Sequence, residues 1–227
     1  MAIRALVLRA VKLIPAELGL LWFVAGGTAS TVEGRGGIDI QSGEDLYRAE
    51  CSQCHGVLAQ GGKQGEYPRL AGLPAGYLAQ QLRNFRDRKR VNKPMIPLFK
   101  TGRLRDEHNA AIAAYLAGLP TPPELELPFP HPRGDLQLGE ELYVEDCSLC
   151  HGLDGSGKED TDNPPVVGQY PAYIAKQMRD FRIGRRWHEY GEQLFEEADP
   201  EELDALLAYM IALNEGSQSV SEAAPEP

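Results

Sequence analysis

Four cysteines and two of the five histidines carry the chemistry of this chain: Cys51, Cys54 and His55 form CSQCH, and Cys147, Cys150 and His151 form CSLCH. Two thiols at this spacing can add to the two vinyl groups of one haem, and the histidine that follows is placed to ligate its iron. A redox dithiol and a shared zinc site compete with this assignment. A redox pair of this kind usually sits on a βαβ pattern, which is missing here. A zinc site shared by the two pairs leaves unexplained why each motif has its own copy of the surrounding sequence. The motifs therefore predict two covalent haem c groups, with His55 and His151 as iron ligands.

The elements that must position these groups come as a duplication. At an offset of 96 residues GEDLYRAECSQCHG (43–56) lies on GEELYVEDCSLCHG (139–152), and YLAQQLRNFR (77–86) on YIAKQMRDFR (173–182). Near the end of each copy the register slips to 94, where AAIAAYLAGL (110–119) meets DALLAYMIAL (204–213). Each copy reads as three helices and no strand. In the first copy they start near Ser42, with Asp45 in a capping box, and span about 75–86 and 106–116. The last helix of the second copy starts with Asp199 as N-cap, Pro200 in the first turn and Glu202 at the third position. The fold class is all-α, with domains at 38–119 and 134–214 joined by a Pro-rich connector (120–133) and followed by a loose tail (215–227).

Composition narrows the function classes. The 227 residues are 42% hydrophobic, 25% charged and only 7% aromatic, which excludes a disordered, collagenous or multi-span membrane chain. Units of about 80 residues with so few aromatics have thin cores unless a buried group such as a porphyrin fills them. The net charge of −10 gives no overall electrostatic case for nucleic acid and favours neutral or basic partners. At the N-terminus Arg4, Arg9 and Lys12 precede an apolar stretch from Leu18 to Ala25 and small residues after it. This predicts an export signal over 1–30 or, if retained, an N-terminal membrane anchor. Either sends the folded part into the periplasm, soluble or tethered to the inner membrane.

Over nearly the whole exported chain the sequence resembles the dihaem class I cytochromes c of the cytochrome c4 type, relatives of which serve as the cytochrome subunit of flavocytochrome c sulfide dehydrogenases. The resemblance rests on the two CxxCHG motifs, YPRLAG (67–72) with its altered twin NPPVVG (163–168), and the YLAQQLRNFR and AAYLAGL helices. It implies two tandem class I cytochrome c domains, each wrapped around one haem. It also implies that the Pro68 and Pro164 carbonyls orient the proximal histidines, and that Met95 in KPMIPL (93–98) is the sixth ligand of haem 1. Turn formation is the alternative for the two prolines, and core filling is the lesser alternative for the methionine.

The second copy departs from this pattern. Met95 falls on Gly191, and RRWHEYGEQLF (185–195) holds no methionine. His188 is the nearest strong ligand and makes haem 2 bis-histidine; an open or water-bound haem, Tyr190 or a rearranged methionine are the alternatives. Met178 and Met210 occupy helical core positions. The basic runs ending the second helix of each copy place Arg86, Arg90, Arg182 and Arg186 near the haem propionates at the domain interface, although cations suit a helix C-terminus anyway. The expected function is single-electron transfer between a donor complex and an acceptor such as a terminal oxidase. A permanently bound relay subunit of a dehydrogenase is the second possibility, and a ligand-binding or enzymatic haem 2 the third. A thioether ligand raises the potential, so electrons are expected to enter at haem 2 and leave from haem 1.

Overall fold

The computed structural model describes residues 39–100, 102, 104–122, 134–158, 161–188 and 192–222, with the backbone alone at 192, 193 and 215–222. The expected leader, the connector from 123 to 133, Tyr190, Gly191 and the last five residues lie outside them. In the first copy α1 (Ile40–Glu50) leads into the short α2 (Ser52–His55), followed by α3 (Ala75–Arg86), α4 (Ile96–Lys100) and α5 (Asp106–Ala117). The second copy repeats the order with α6 (Leu136–Leu142), a π-helical turn (Tyr143–Cys147), α7 (Ser148–His151), α8 (Pro171–Arg182), α9 (Glu192–Glu197) and α10 (Pro200–Glu222). Among the described residues there is no strand; Gly62 with Tyr67 and Arg90 with Arg186 form isolated bridges.

Helix starts follow side-chain caps. α1 begins earlier than Ser42, because the Asp39 carboxylate accepts the Ser42 N–H at 3.2 Å and so becomes the N-cap. Asp135 does the same for α6, accepting from Gln137 and Leu138. At α10 the capping box is complete: Asp199 Oδ1 accepts the N–H groups of Glu201 and Glu202, and Glu202 Oε2 accepts that of Asp199. His108 works in the same way at α5, where its Nδ1 accepts the Arg105 N–H. α10 continues to Glu222, past Asn214 where the tail was expected to loosen, since no proline interrupts the chain between Pro200 and Pro225. Among the described residues no helix is long and apolar enough to cross a membrane.

Each copy has its own core, built on a crossing of its first and last helices. α1 meets α5 at Gly43, where an added Cβ would lie 2.1 Å from the Ala111 carbonyl oxygen. α6 meets α10 at Gly139, where the corresponding distance to Ala205 is 2.2 Å. Only glycine permits such contact, and it recurs at the same place in both copies. Tyr47, Leu78, Leu104, Ile112 and Leu116 fill the first core. Tyr143, Met178, Phe195, Leu206, Leu207 and Met210 fill the second, so Met178 and Met210 are packing residues.

Candidate haem sites

The two CxxCH motifs are held by the same hydrogen bonds. The buried Tyr47 hydroxyl donates to the Gly56 carbonyl at 2.6 Å, and that of Tyr143 to Gly152 at 2.8 Å. Ser52 and Ser148 donate to the carbonyls of Arg48 and Val144, both at 2.7 Å, and bind each motif to the helix before it. Gly56 and Gly152, at φ of +82° and +81°, end the short helices in a conformation that favours glycine. The chain then returns under the histidine. His55 Nδ1 lies 3.0 Å from the Pro68 carbonyl oxygen, and His151 Nδ1 lies 2.8 Å from that of Pro164. A carbonyl only accepts, so each Nδ1 carries the proton and each Nε2 keeps a lone pair free for a metal. Burial holds both imidazoles below the usual histidine range, which keeps them neutral ligands.

The thiols fit covalent haem attachment better than either rival chemistry. All four cysteines are free, and burial pushes Cys51 and Cys147 up to about 12. A redox dithiol needs the opposite shift. Nor do three or more zinc-type side chains converge among the described residues.

The candidates for the sixth ligand differ between the copies. Met95 lies half-buried in the turn that leads into α4, and its N–H donates to the Asn92 carbonyl at 3.0 Å. Its partner position, Gly191, is outside the described residues. His188 stands three places earlier, opposite Asn92, and is packed rather than solvated. Its ring centre is 5.0 Å from Phe181, 5.5 Å from Phe195 and 6.2 Å from His151. Two metal–nitrogen bonds of about 2 Å, plus about 1.2 Å from each nitrogen to its ring centre, put imidazoles on opposite sides of one metal about 6.4 Å apart. The His188 Nδ1 is buried without a hydrogen-bond partner. Burial, followed by His151 and Arg186, lowers this imidazole to about 4, so it too is neutral.

The arginines divide. Arg90 donates to Gln81 at 2.9 Å, Tyr173 at 2.6 Å and Gln177 at 2.7 Å, and lies over the Phe85 ring. Arg186 mirrors it, donating to Gln177 at 2.9 Å, Tyr77 at 2.8 Å and Gln81 at 3.4 Å, over the Phe181 ring. These two buried cations meet where the copies join, with neutral oxygens as hydrogen-bond partners. Arg186 Nε and Gln177 Nε2 are left as buried donors without partners. The Arg86 guanidinium pairs with Asp87 and Asp106 at the surface. Arg182 is half-buried in the last turn of α8. Arg69, which sequence reasoning passed over, is 2% exposed between the copies. The signal for it was a mismatch within a matched repeat, since its counterpart in the second copy is Pro165.

Comparison with known proteins agrees with this construction. Residues 40–120 match the family described as cytochrome c, and residues 134–210 the family described as cytochrome c oxidase, cbb3-type, subunit III. Two such domains in tandem define a dihaem electron-transfer cytochrome with two covalently bound haem c groups and their irons. A thiosulfate dehydrogenase electron acceptor from Stutzerimonas stutzeri (strain A1501) is 34% identical over 64% of this chain and 69% of its own length. A cytochrome c4 from Stutzerimonas stutzeri is 30% identical over 78% of this chain and 90% of its own. The solved thiosulfate dehydrogenase TsdBA from Marichromatium purpuratum superposes on 76% of this chain with a TM-score of 0.62 and 29% identity, and the match spans only 40% of that longer chain. The chain belongs to the cytochrome c4 family.

Proposed function

We propose that this cytochrome relays single electrons in the periplasm, with His55 and Met95 holding one iron and His151 and His188 the other. The observation that carries the assignment is the 6.2 Å between the His151 and His188 rings, close to the separation of two imidazoles across one metal. When bound, each haem supplies a one-electron ferric/ferrous couple. The residues of the chain do the rest. Cys51, Cys54, Cys147 and Cys150 tether the haems, and the Pro68 and Pro164 carbonyls fix the tautomer and orientation of the proximal imidazoles. Phe181 and Phe195 wall His188 against water. Arg90 and Arg186 offer buried positive charge to the propionates, an idea supported by their neutral partners and by the unpartnered donors beside them. Arg86 is left out of this set because Asp87 and Asp106 already neutralise it.

A second imidazole lowers a haem potential relative to a thioether. Electrons therefore enter at the second domain and leave from the first, toward an acceptor such as a terminal oxidase. The names of the relatives favour a more specific donor, a dehydrogenase acting on a reduced sulfur compound, with this chain as its mobile or bound acceptor. A redox titration of the holoprotein tests the relay: it should resolve two potentials, and His188→Ala should move only the lower. Two equal, high potentials would contradict it. Copurification with a dehydrogenase would identify the bound form.

A further inference from the structure

Arg69 breaks the symmetry of the repeat at the place where the two proximal loops touch. Its Nε donates to the Gly168 carbonyl at 2.5 Å, its Nη1 to Ala71 at 2.5 Å and its Nη2 to Val167 at 3.4 Å. Its main chain is clasped as well: the Arg69 N–H donates to Gln169 Oε1, and Gln169 Nε2 donates to the Arg69 carbonyl, both at 3.0 Å. These partners are all neutral. Arg69 directly follows Pro68, whose carbonyl orients His55, and it grips Val167 and Gly168 just after Pro164, whose carbonyl orients His151. One buried cation is thus held by the proximal loops of both haem sites, and the second copy has Pro165 where it would place another.

We infer that Arg69 is a positioning residue shared by the two haems, a fixed positive charge that raises both reduction potentials and locks the two proximal loops together. The physical reason is that oxidation adds a positive charge at iron, and a nearby buried cation opposes that more strongly than a solvated one does. The charge persists at neutral pH, since burial brings the guanidinium down only to about 10. The inference rests on the two-haem assignment but not on the sixth ligand of haem 2.

The test is a spectroelectrochemical titration of full-length protein with both haems bound, in Arg69→Met, Arg69→Lys and, as a surface control, Arg48→Met. Arg69→Met should lower both potentials, while Arg69→Lys stays near wild type even if its melting temperature falls. Arg48, exposed and paired with Glu44, should leave both unchanged. The inference is overturned if Arg69→Met moves neither haem or only one, or if Arg69→Lys falls as far. Electron paramagnetic resonance of the same samples separates a charge effect from an exchange of axial ligands, and an exchange would also overturn it. If Arg69→Met does not load haem, Gln169→Glu sets a carboxylate beside the cation, and unchanged potentials there refute the proposal.

Discussion

The crossing of the first and last helices can be tested by adding one methyl group. In Gly43→Ala the new Cβ would lie 2.1 Å from the Ala111 oxygen, 2.5 Å from the Ala111 carbonyl carbon and 3.0 Å from the Ile112 nitrogen, all backbone atoms. An ordinary carbon–oxygen contact is about 3.3 Å or more, so α1 and α5 must part by about 1 Å. Forcing a methyl into a packed interior costs about 1–3 kcal/mol. The better helix propensity of alanine returns up to about 1 kcal/mol. The middles of these two ranges leave a net loss of about 1–2 kcal/mol, which lowers the melting temperature of a domain of this size by about 5–15 °C. The assay is thermal unfolding of the holoprotein followed by circular dichroism and by the haem absorbance. Gly139→Ala meets Ala205 at 2.2 Å and should destabilise the second domain by a similar amount. A Gly43→Ala protein that melts at or above the wild-type temperature would refute the reasoning, because a rearrangement that keeps this crossing accommodates the methyl only at that cost.

Other expectations follow from single contacts. Asp199→Ala removes the acceptor of two N–H groups at the start of α10 and should cost about 1 kcal/mol, seen as faster hydrogen exchange over the first turn of that helix. Tyr143→Phe removes the shorter of two hydrogen bonds to the Gly152 carbonyl, which keeps the Gly155 N–H at 3.2 Å, and should cost about 0.5–1.5 kcal/mol in chemical denaturation. Cys150→Ala should leave its haem attached through Cys147 alone, which intact mass and the spectrum of the pyridine-treated haem report; loss of that haem would mean that Cys147 is not bonded to it.

Much of this architecture was legible because the chain repeats itself. Two matched segments 96 residues apart gave six helical patterns, and α3 spans the predicted 75–86 because its apolar residues keep strict helical spacing between Pro74 and Asp87. The start of α1 was harder to place. Ser42 and Asp39 are both capable caps, and the choice depends on which side chain reaches a backbone N–H, a fact of three dimensions. The short α2, α4, α7 and α9 escaped notice because four to six residues are too few to show a period. The arginines divide for a similar reason. Arg86 and Arg90 share one basic run, but the run turns after α3, so one side chain meets carboxylates at the surface and the other crosses to Tyr173. The partners of Arg69 lie about 100 residues away in the chain, and only the mismatch with Pro165 hinted at them.

The central claim is that the second haem has a histidine on each face, His151 and His188, and the first does not. Electron paramagnetic resonance of the fully oxidised protein, set beside that of His188→Ala, tests it most directly. The wild type should give two low-spin ferric signals, one typical of histidine–methionine and one of bis-histidine ligation. His188→Ala should convert only the second, to a high-spin or ligand-exchangeable species. A second signal that survives the substitution unchanged would contradict the account and pass the sixth position to another residue.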